Sequence, residues 1–560
     1  MKQWVLLCAA ACILMSCATL PPQQARVEQL HHPEALDLDH PGEVGRYQVG
    51  SFTYASPDNP RRDAYRDAAV ATDPVDISPF FDQVRSGYWG YGSDAVPLNG
   101  RVWYPEGEGK FPAAVIVHGN HADWDFSEFG YAYLGEHLAS HGIIMATVDQ
   151  NFINARSRGD ENDARAVLLL EHLRLITEWN EDPDHPLYSR VDTEHLYVMG
   201  HSRGGEAAVT AAMYALLDYY PEDGTVELDY PWSIRGAVSL APIEGQYRIQ
   251  NRPLGLPPSV SYLVIHGSHD GDVSAHYGLR FLQRGMPDPG VFWSSVWIYG
   301  ANHAQFNTDW AVVQDPRPAL RADLITLDQQ LSATKTLISA FILTTSGREA
   351  GYQPLFEDIR TGSSWLPETL MVSTYRELAQ PVETFDDFRP FKAVGPQDWN
   401  LALQGFSFWR ERLLPFSVVP QGQQDSWALE AAWEDGSEIL PEMTFSRTEA
   451  SEQAIGLRAD LMALELGGDA DYLDFTLRVT GMSAGAAYQE EITLSELFTL
   501  QPLPLVRILS LQTAHYIPQT VTWEFSRPIE VTEIAFIFNG TAKEGRVIID
   551  HVNLMPGGAP

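Results

Sequence analysis

A chain of 560 residues exceeds what one hydrophobic core organises, so two or three domains are expected, and a composition 44% hydrophobic and 11% aromatic can fill them. The formal charge of −37 excludes the basic surface that nucleic-acid binding needs and repels anionic lipid headgroups, while keeping the chain soluble and suiting a saline medium. All three cysteines, Cys8, Cys12 and Cys17, lie near the N-terminus, so the rest of the chain has no disulfide, cysteine zinc site or thiol nucleophile.

The chain opens with Lys2 and an apolar run from Trp4 to Met15, the length of a secretory signal core and short for a membrane span. It ends in Leu14-Met15-Ser16-Cys17, which resembles a bacterial lipobox. The resemblance implies a signal peptide over 1–16 and acylation of Cys17; with Ala18 next, it implies an outer-membrane lipoprotein on the periplasmic or cell-surface side. An ordinary cleaved signal peptide is the alternative. Residues 17–89 are expected to form a tether and N-terminal extension, the part from Thr19 to about Gly50 being rich in Pro, Gln and His.

From about Arg101 the pattern alternates strand with helix. Pro112–Val117, Ile143–Val148, Leu196–Met199, Gly236–Leu240, Tyr262–Ile265 and Ser295–Tyr299 are short apolar runs of the kind buried on both faces of a parallel sheet, the last being expected to end it. Helices are expected over Tyr133–Ala139, Ala164–Trp179, Ala207–Leu217 and Thr334–Leu343. The fold class expected for 90–378 is therefore α/β, a doubly wound and mostly parallel sheet. After about Leu378 the period becomes two, in Leu473–Val479, Val521–Phe525, Ile534–Phe538 and Arg546–Leu554, which indicates a C-terminal all-β sandwich over 379–560. Phe385-Asp386-Asp387-Phe388 and the closing strand resemble jelly-roll accessory modules of the galactose-binding kind, which would make a glycan a possible ligand there; packing or spacing is the competing role.

Gly200-His201-Ser202-Arg203-Gly204 fits the nucleophile-elbow pattern, between an apolar strand and an Ala-rich helix. A serine nucleophile needs a base, and the base an orienting acid. Asp270, in the loop His266–Asp272 after one strand, is the expected acid, with Asp272 and the remoter Glu244 as alternatives. His303, in Gly300–His303 after the last strand, is the expected base. His118-Gly119-Asn120-His121 follows the first central strand, and backbone N–H groups of Asn120 and Arg203 are expected to form the oxyanion hole. His121 is a candidate substrate contact, as is Trp124, which with Phe126, Phe129 and Tyr131 could line an apolar acyl pocket or pack the core. A metal on His118, His121 and Asp123 is disfavoured because that loop already has a role. Glu206 is expected to pair with Arg203 or stabilise its helix N-terminus.

With these segments in this order, residues from about 90 to 375 resemble the α/β-hydrolase superfamily, nearest its dienelactone hydrolase, chlorophyllase, platelet-activating-factor acetylhydrolase and cutinase-like branch; Leu138–Gly142 and Gly200–Gly205 carry that impression. The resemblance implies ester hydrolysis through an acyl-serine, without cofactor or metal, on a small-molecule or polymeric ester. The membrane would be met only through the anchor at Cys17. It leaves open an amidase, peptidase or thioesterase on the same triad, and a non-catalytic surface binding protein.

Overall fold

The computed structural model describes residues 33–57, 59, 61–81, 86–154, 161–311, 321, 323–386, 399–417, 422–467, 470–508, 511–513 and 515–557. The signal segment, Cys17, Asp387 and Phe388 lie outside these. Among the described residues no helix is long and apolar enough to cross a membrane.

The first sheet is built from β1 (Gln48–Ala55), β2 (Val70–Ala71), β3 (Gly100–Glu106), β4 (Phe111–Val117), β5 (Ile144–Val148) and β6 (Val191–His201). A surface hairpin, β7 (Tyr219–Tyr220) and β8 (Asp223–Glu227), interrupts it before β9 (Ile234–Leu240), β10 (Ser261–Gly267), β11 (Phe292–Ile298) and β12 (Met371–Glu377). The order across the sheet is β12-β11-β10-β9-β6-β4-β5-β3-β1-β2. The run β11-β10-β9-β6-β4-β5 is parallel throughout. Every residue of β4, β5, β10 and β11 is buried, as their largely apolar sequence favours. Helices Asn162–Trp179 and Arg203–Tyr214 pack one face, and Ala132–Ser140 and Leu327–Thr345 the other.

Two edges differ from the sequence expectation. Met371–Glu377 adds an antiparallel strand beyond β11, so Phe292–Ile298 does not end the sheet. At the other edge β1 and β3 pair antiparallel, so residues from Gln48 onward, expected in the N-terminal extension, belong to the first sheet. Arg62 from this stretch is buried between the Glu128 and Asp149 carboxylates, with its guanidinium carbon 3.9 Å from the Phe126 ring centre.

The C-terminal strands are β13 (Gln380–Glu383), β14 (Asn400–Gln404), β15 (Phe408–Pro415), β16 (Gln423–Trp433), β17 (Glu442–Ser446), β18 (Gln453–Leu466), β19 (Thr476–Ser483) and β20 (Ala486–Thr493), then the small hairpin β21 (Val506–Ile508) and β22 (Leu511–Thr513), β23 (Gln519–Ile537) and β24 (Gly545–Pro556). They form a separate antiparallel network in the order β14-β17-β23-β18-β24-β16-β15, with β19 on β23 and β13 on β24. Val521–Phe525 and Ile534–Ile537 belong to the one strand β23, which ends just before Phe538. Pro528 is tolerated between them because the ladder to β18 shifts register there, from Gly456↔Glu524 to Ala454↔Ile529. This region has its own core, which includes Trp399, Phe445, Phe475, Trp523 and Phe536.

The two regions share an apolar contact in which Leu279, Trp297, Tyr299 and Val372 of the first pack with Leu414, Ala428, Met462, Ile517 and Ile548 of the second. Beside it, Arg280 and Arg284 pair with the buried Glu244 at 2.7 and 2.6 Å and also reach Asp425. Glu244, the remote alternative for the triad acid, is thereby committed to these arginines.

Candidate active site

The strand-to-helix turn at Ser202 is sharp. Ser202 has φ 58° and ψ −120°, a region that non-glycine residues adopt only under constraint. The constraint comes from both sides, because its N–H donates to the Leu240 carbonyl at 2.9 Å and its carbonyl accepts from Gly205 at 3.0 Å. A side-chain carbon on Gly200 would stand 1.8 Å from the Gly204 carbonyl oxygen, so the turn tolerates only glycine there. The result is a serine with its hydroxyl at the N-terminus of Arg203–Tyr214.

Loops from three strands converge on it. His303, after β11, places Nδ1 2.7 Å from Asp270 Oδ2, and its ring centre lies 4.6 Å from that of His201, the residue before the serine. Asp270, after β10, is buried, and its Oδ1 accepts from the backbone N–H groups of Asp272 and Val273 at 2.9 and 2.6 Å. Asp272, the alternative acid, is exposed and meets the other ring nitrogen, its Oδ2 being 3.5 Å from His303 Nε2. Burial alone would discourage charge on His303; the hydrogen-bonded Asp270 carboxylate, helped by Asp272, outweighs it, and the imidazole pKa is raised.

The loop after β4 closes over the serine. A side chain on Gly119 would stand 2.6 Å from Ser202 Cβ, so glycine alone permits this approach. His118 fixes the loop: its Nε2 accepts from Gln150 N at 3.1 Å, which leaves Nδ1 protonated to donate to the Gly119 carbonyl at 2.8 Å. Burial keeps that ring neutral by pushing its pKa well down. Asn154 also donates to the Gly119 carbonyl, at 3.4 Å, while its own oxygen accepts from the buried Arg165 at 2.8 Å.

Other candidates take different places. His121 engages the Ala122 carbonyl through Nδ1 and Ser127 Oγ through Nε2, each at 2.9 Å, so its nitrogens brace the loop and a ring face remains towards Trp310. The ring nitrogens of His118 and His121 are thus spent within the protein, which removes the metal trio with Asp123. Trp124 is 61% exposed on the outer turn. Phe126, Phe129 and Tyr131 pack inward on Arg62, Tyr65 and His201 rather than lining a pocket. Arg203 pairs with the buried Glu161, not with Glu206. Glu206 instead accepts from the N–H groups of Gly245, Gln246 and Tyr247 at 2.6, 3.0 and 3.4 Å, and burial lifts its pKa to about 8.

Sequence reasoning missed Trp310 and Asn307. The Trp310 ring lies 5.0 Å from that of His201, the residue before the serine, and 5.2 Å from that of His121. Asn307 ties the base-bearing loop to the Gly119 loop by donating to the Ser127 carbonyl at 2.8 Å. Neither stands in a motif; nearness in sequence to His303 was the only signal. Elsewhere, Asp460, Asp550 and His551 bring possible ligand atoms within 4.8 Å of one another. Arg376 reaches His551 Nδ1 at 3.1 Å and Asp460 Oδ2 at 3.6 Å, so the protein supplies the cation of that cluster itself.

Known proteins resemble a part of the chain that includes Ser202 and the Gly119 loop but ends before Asp270 and His303. The family described as PET hydrolase-like matches residues 76–217. Cutinase 2 of Thermobifida cellulosilytica is 31% identical over 122 residues, 22% of this chain and 42% of that protein. Cutinase cut1 of Thermobifida fusca is 31% identical over 22% of this chain and 34% of its own length. A bis(hydroxyethyl) terephthalate hydrolase of Streptomyces coelicolor is 34% identical over 20% of this chain and 33% of its own. The chain therefore spans less than half the length of each of these relatives. Residues 76–217, which carry the strained serine elbow of the mixed sheet, are thus similar to PET hydrolase-like and cutinase proteins, a resemblance to the cutinase-like branch of the α/β-hydrolase superfamily.

Proposed function

We propose that the chain hydrolyses carboxylic esters through an acyl-serine intermediate, with Ser202, His303 and Asp270 as its triad. The observation that carries this is the 2.7 Å contact between His303 Nδ1 and the buried Asp270, beside a serine at positive φ. Ser202 Oγ attacks the ester carbonyl and its proton passes to His303 Nε2. The C–O bond then breaks, Nε2 returns the proton to the leaving alcohol, and water repeats the sequence to release the acid. Asp270 holds Nδ1 protonated and steadies the transient imidazolium. Backbone N–H groups of Arg203 and Asn120 receive the oxyanion. For Asn120 the support is indirect: the Gly119 carbonyl is held by His118 and Asn154, and in a trans peptide the next N–H points the opposite way.

The names of the relatives favour polyesters or aromatic esters as substrates, with Trp310 and the face of His121 beside the acyl group and Trp124 at the outer rim. The remaining assignments belong to the same proposal: export as a lipoprotein acylated at Cys17, a hydrolase domain whose expected span of 90–378 is extended back to Gln48 by β1 and β2, and a jelly-roll-like accessory domain over 379–560. Labelling by a fluorophosphonate probe that is lost in Ser202→Ala tests the nucleophile. Faster turnover of 4-nitrophenyl esters than of matched anilides tests the bond. Labelling of the Ser202→Ala variant, or faster turnover of the anilides, would overturn the corresponding part.

A further inference from the structure

In a chain of net charge −37, one surface concentrates the opposite sign. On β15 and β16, Arg410 faces Glu430 across the ladder, Arg412 faces Ala428 and Phe408 faces Ala432, while Arg546 of β24 also pairs with Ala432. Strand alternation therefore puts Phe408, Arg410, Arg412, Glu430 and Arg546 on one sheet face. Glu430 is buried, with a side chain 1% exposed, and holds all three guanidiniums: Arg410 NH2 at 2.7 Å, Arg412 NH1 at 3.0 Å and Arg546 NH1 at 2.9 Å.

The arginine side chains are 48, 26 and 38% exposed respectively, so their outer edges meet solvent. Three cations share one buried carboxylate; among the described residues Glu465, exposed and 3.6 Å from Arg546 Nε, is the further acid paired with them. Among the described residues paired there, a positive excess remains even when both acids are counted. Phe408, 41% exposed, lies between Arg410 and Arg546, whose guanidinium carbons are 5.5 and 6.0 Å from its ring centre. Ala428 and Ile548 of the same face pack against Leu279 and Trp297 of the hydrolase region, so the patch begins where the contact between the two regions ends. Clustered guanidinium forks beside an exposed ring suit an aryl carboxylate: the forks pair with the carboxylate and the ring covers the arene.

We propose that Arg410, Arg412, Arg546 and Phe408 form a second binding site, one for the free carboxylate end that ester cleavage leaves on an aromatic ester chain. The choice of this carboxylate rests on the esterase reading above; the anion site itself does not. Each cleavage converts a neutral link into an acid end, so a site selective for the charged end would retain the cut chain beside the hydrolase region.

The test is calorimetric titration of monomethyl terephthalate into the full chain carrying Ser202→Ala, alongside hydrolysis by the parent chain. The acid is expected to bind and dimethyl terephthalate not to compete. Affinity should fall at least tenfold on adding Arg410→Gln, which leaves Arg412 and Arg546 on Glu430, and should fall with rising salt. Arg410→Lys should weaken binding at unchanged melting temperature, since it keeps the charge and loses the fork. Equal binding of acid and diester, or binding indifferent to both Arg410 variants, would overturn the site. Arg410-dependent binding of polygalacturonate with none of the small acid would overturn the ligand in favour of an acidic polysaccharide. Parent turnover without binding refutes only this site, whereas binding without turnover refutes only the esterase reading.

Discussion

Asp272 Oδ2 lies 3.5 Å from His303 Nε2, on the side of the imidazole opposite Asp270. The nitrogen proposed to shuttle the proton thus sits beside an exposed carboxylate, and that carboxylate helps raise the pKa of the ring. The base must be neutral to accept the serine proton, so activity should rise with pH through a pKa above the ordinary histidine value. Asp272→Asn should move this acid limb to lower pH by about 0.2–0.7 unit, the effect of an exposed charge pair. The pH profile of kcat/KM checks it; an unmoved limb would show that Asp272 does not act on the shuttle.

In the proposed triad, Asp270 has the different part of fixing which nitrogen carries the proton. Asp270→Asn keeps the shape and offers the wrong hydrogen-bonding pattern to Nδ1. A fall in kcat on the order of 10⁴ is expected, the size seen when a serine triad loses its acid in this way. Asp272→Asn should leave kcat near its plateau value. Plateau rates of the two variants separate triad acid from neighbour.

Arg62 neutralises two buried carboxylates, Glu128 and Asp149, at the base of the loop that carries Trp124. Replacing it with methionine keeps much of the volume and leaves both acids without their partner. A loss of about 3–5 kcal/mol is expected from such an uncompensated pair, read as a lower urea midpoint. A midpoint equal to the parent's would contradict this account of the N-terminal residues.

Glu206 gives a stability change with pH of definite sign. Its folded pKa, lifted to about 8 by burial, exceeds the ordinary 4.5. Stability from this group is therefore complete below pH 4.5 and is lost as pH rises through 8. Glu206→Gln should gain on the parent between those limits, with melting temperatures closest at low pH. Curves that stay parallel from pH 4 to 9 would refute the raised pKa.

Much of this architecture was legible in the residues. Buried parallel strands read as largely apolar runs, and the elbow announced itself because Gly200 and Gly204 are sterically required. Asp270 and His303, singled out because each follows a strand, are brought into contact by the fold. What escaped depends on distant partners. Met371–Glu377 is an edge strand whose role is set by pairing with β11, and nothing local marks it as part of the first sheet. The partner of Arg203 is Glu161, far away in sequence, whereas Glu206, three residues on, turns to another loop. Trp124 was singled out for closeness to a motif, and Trp310 overlooked for lacking one; only the folded chain shows which ring stands beside His201, the residue before the serine.

The shared apolar contact makes one more outcome accessible. Trp297, Tyr299 and Val372 are buried in part by the second region. The isolated stretch 33–379 should therefore be poorly soluble or unfold at lower temperature than the full chain, by thermal scanning and sedimentation. A soluble fragment with parental turnover and melting would show the contact to be dispensable.

The short helix Leu279–Gln283 follows the acid loop closely and carries Arg280, which with nearby Arg284 grips Asp425 of the other region. A disturbance of the far module therefore has a direct route to the carboxylate that orients the base. For anyone transplanting the first module onto a new surface or carrier, the practical unit is both modules together, and the pairing of Asp270 with His303 would report whether they remain seated.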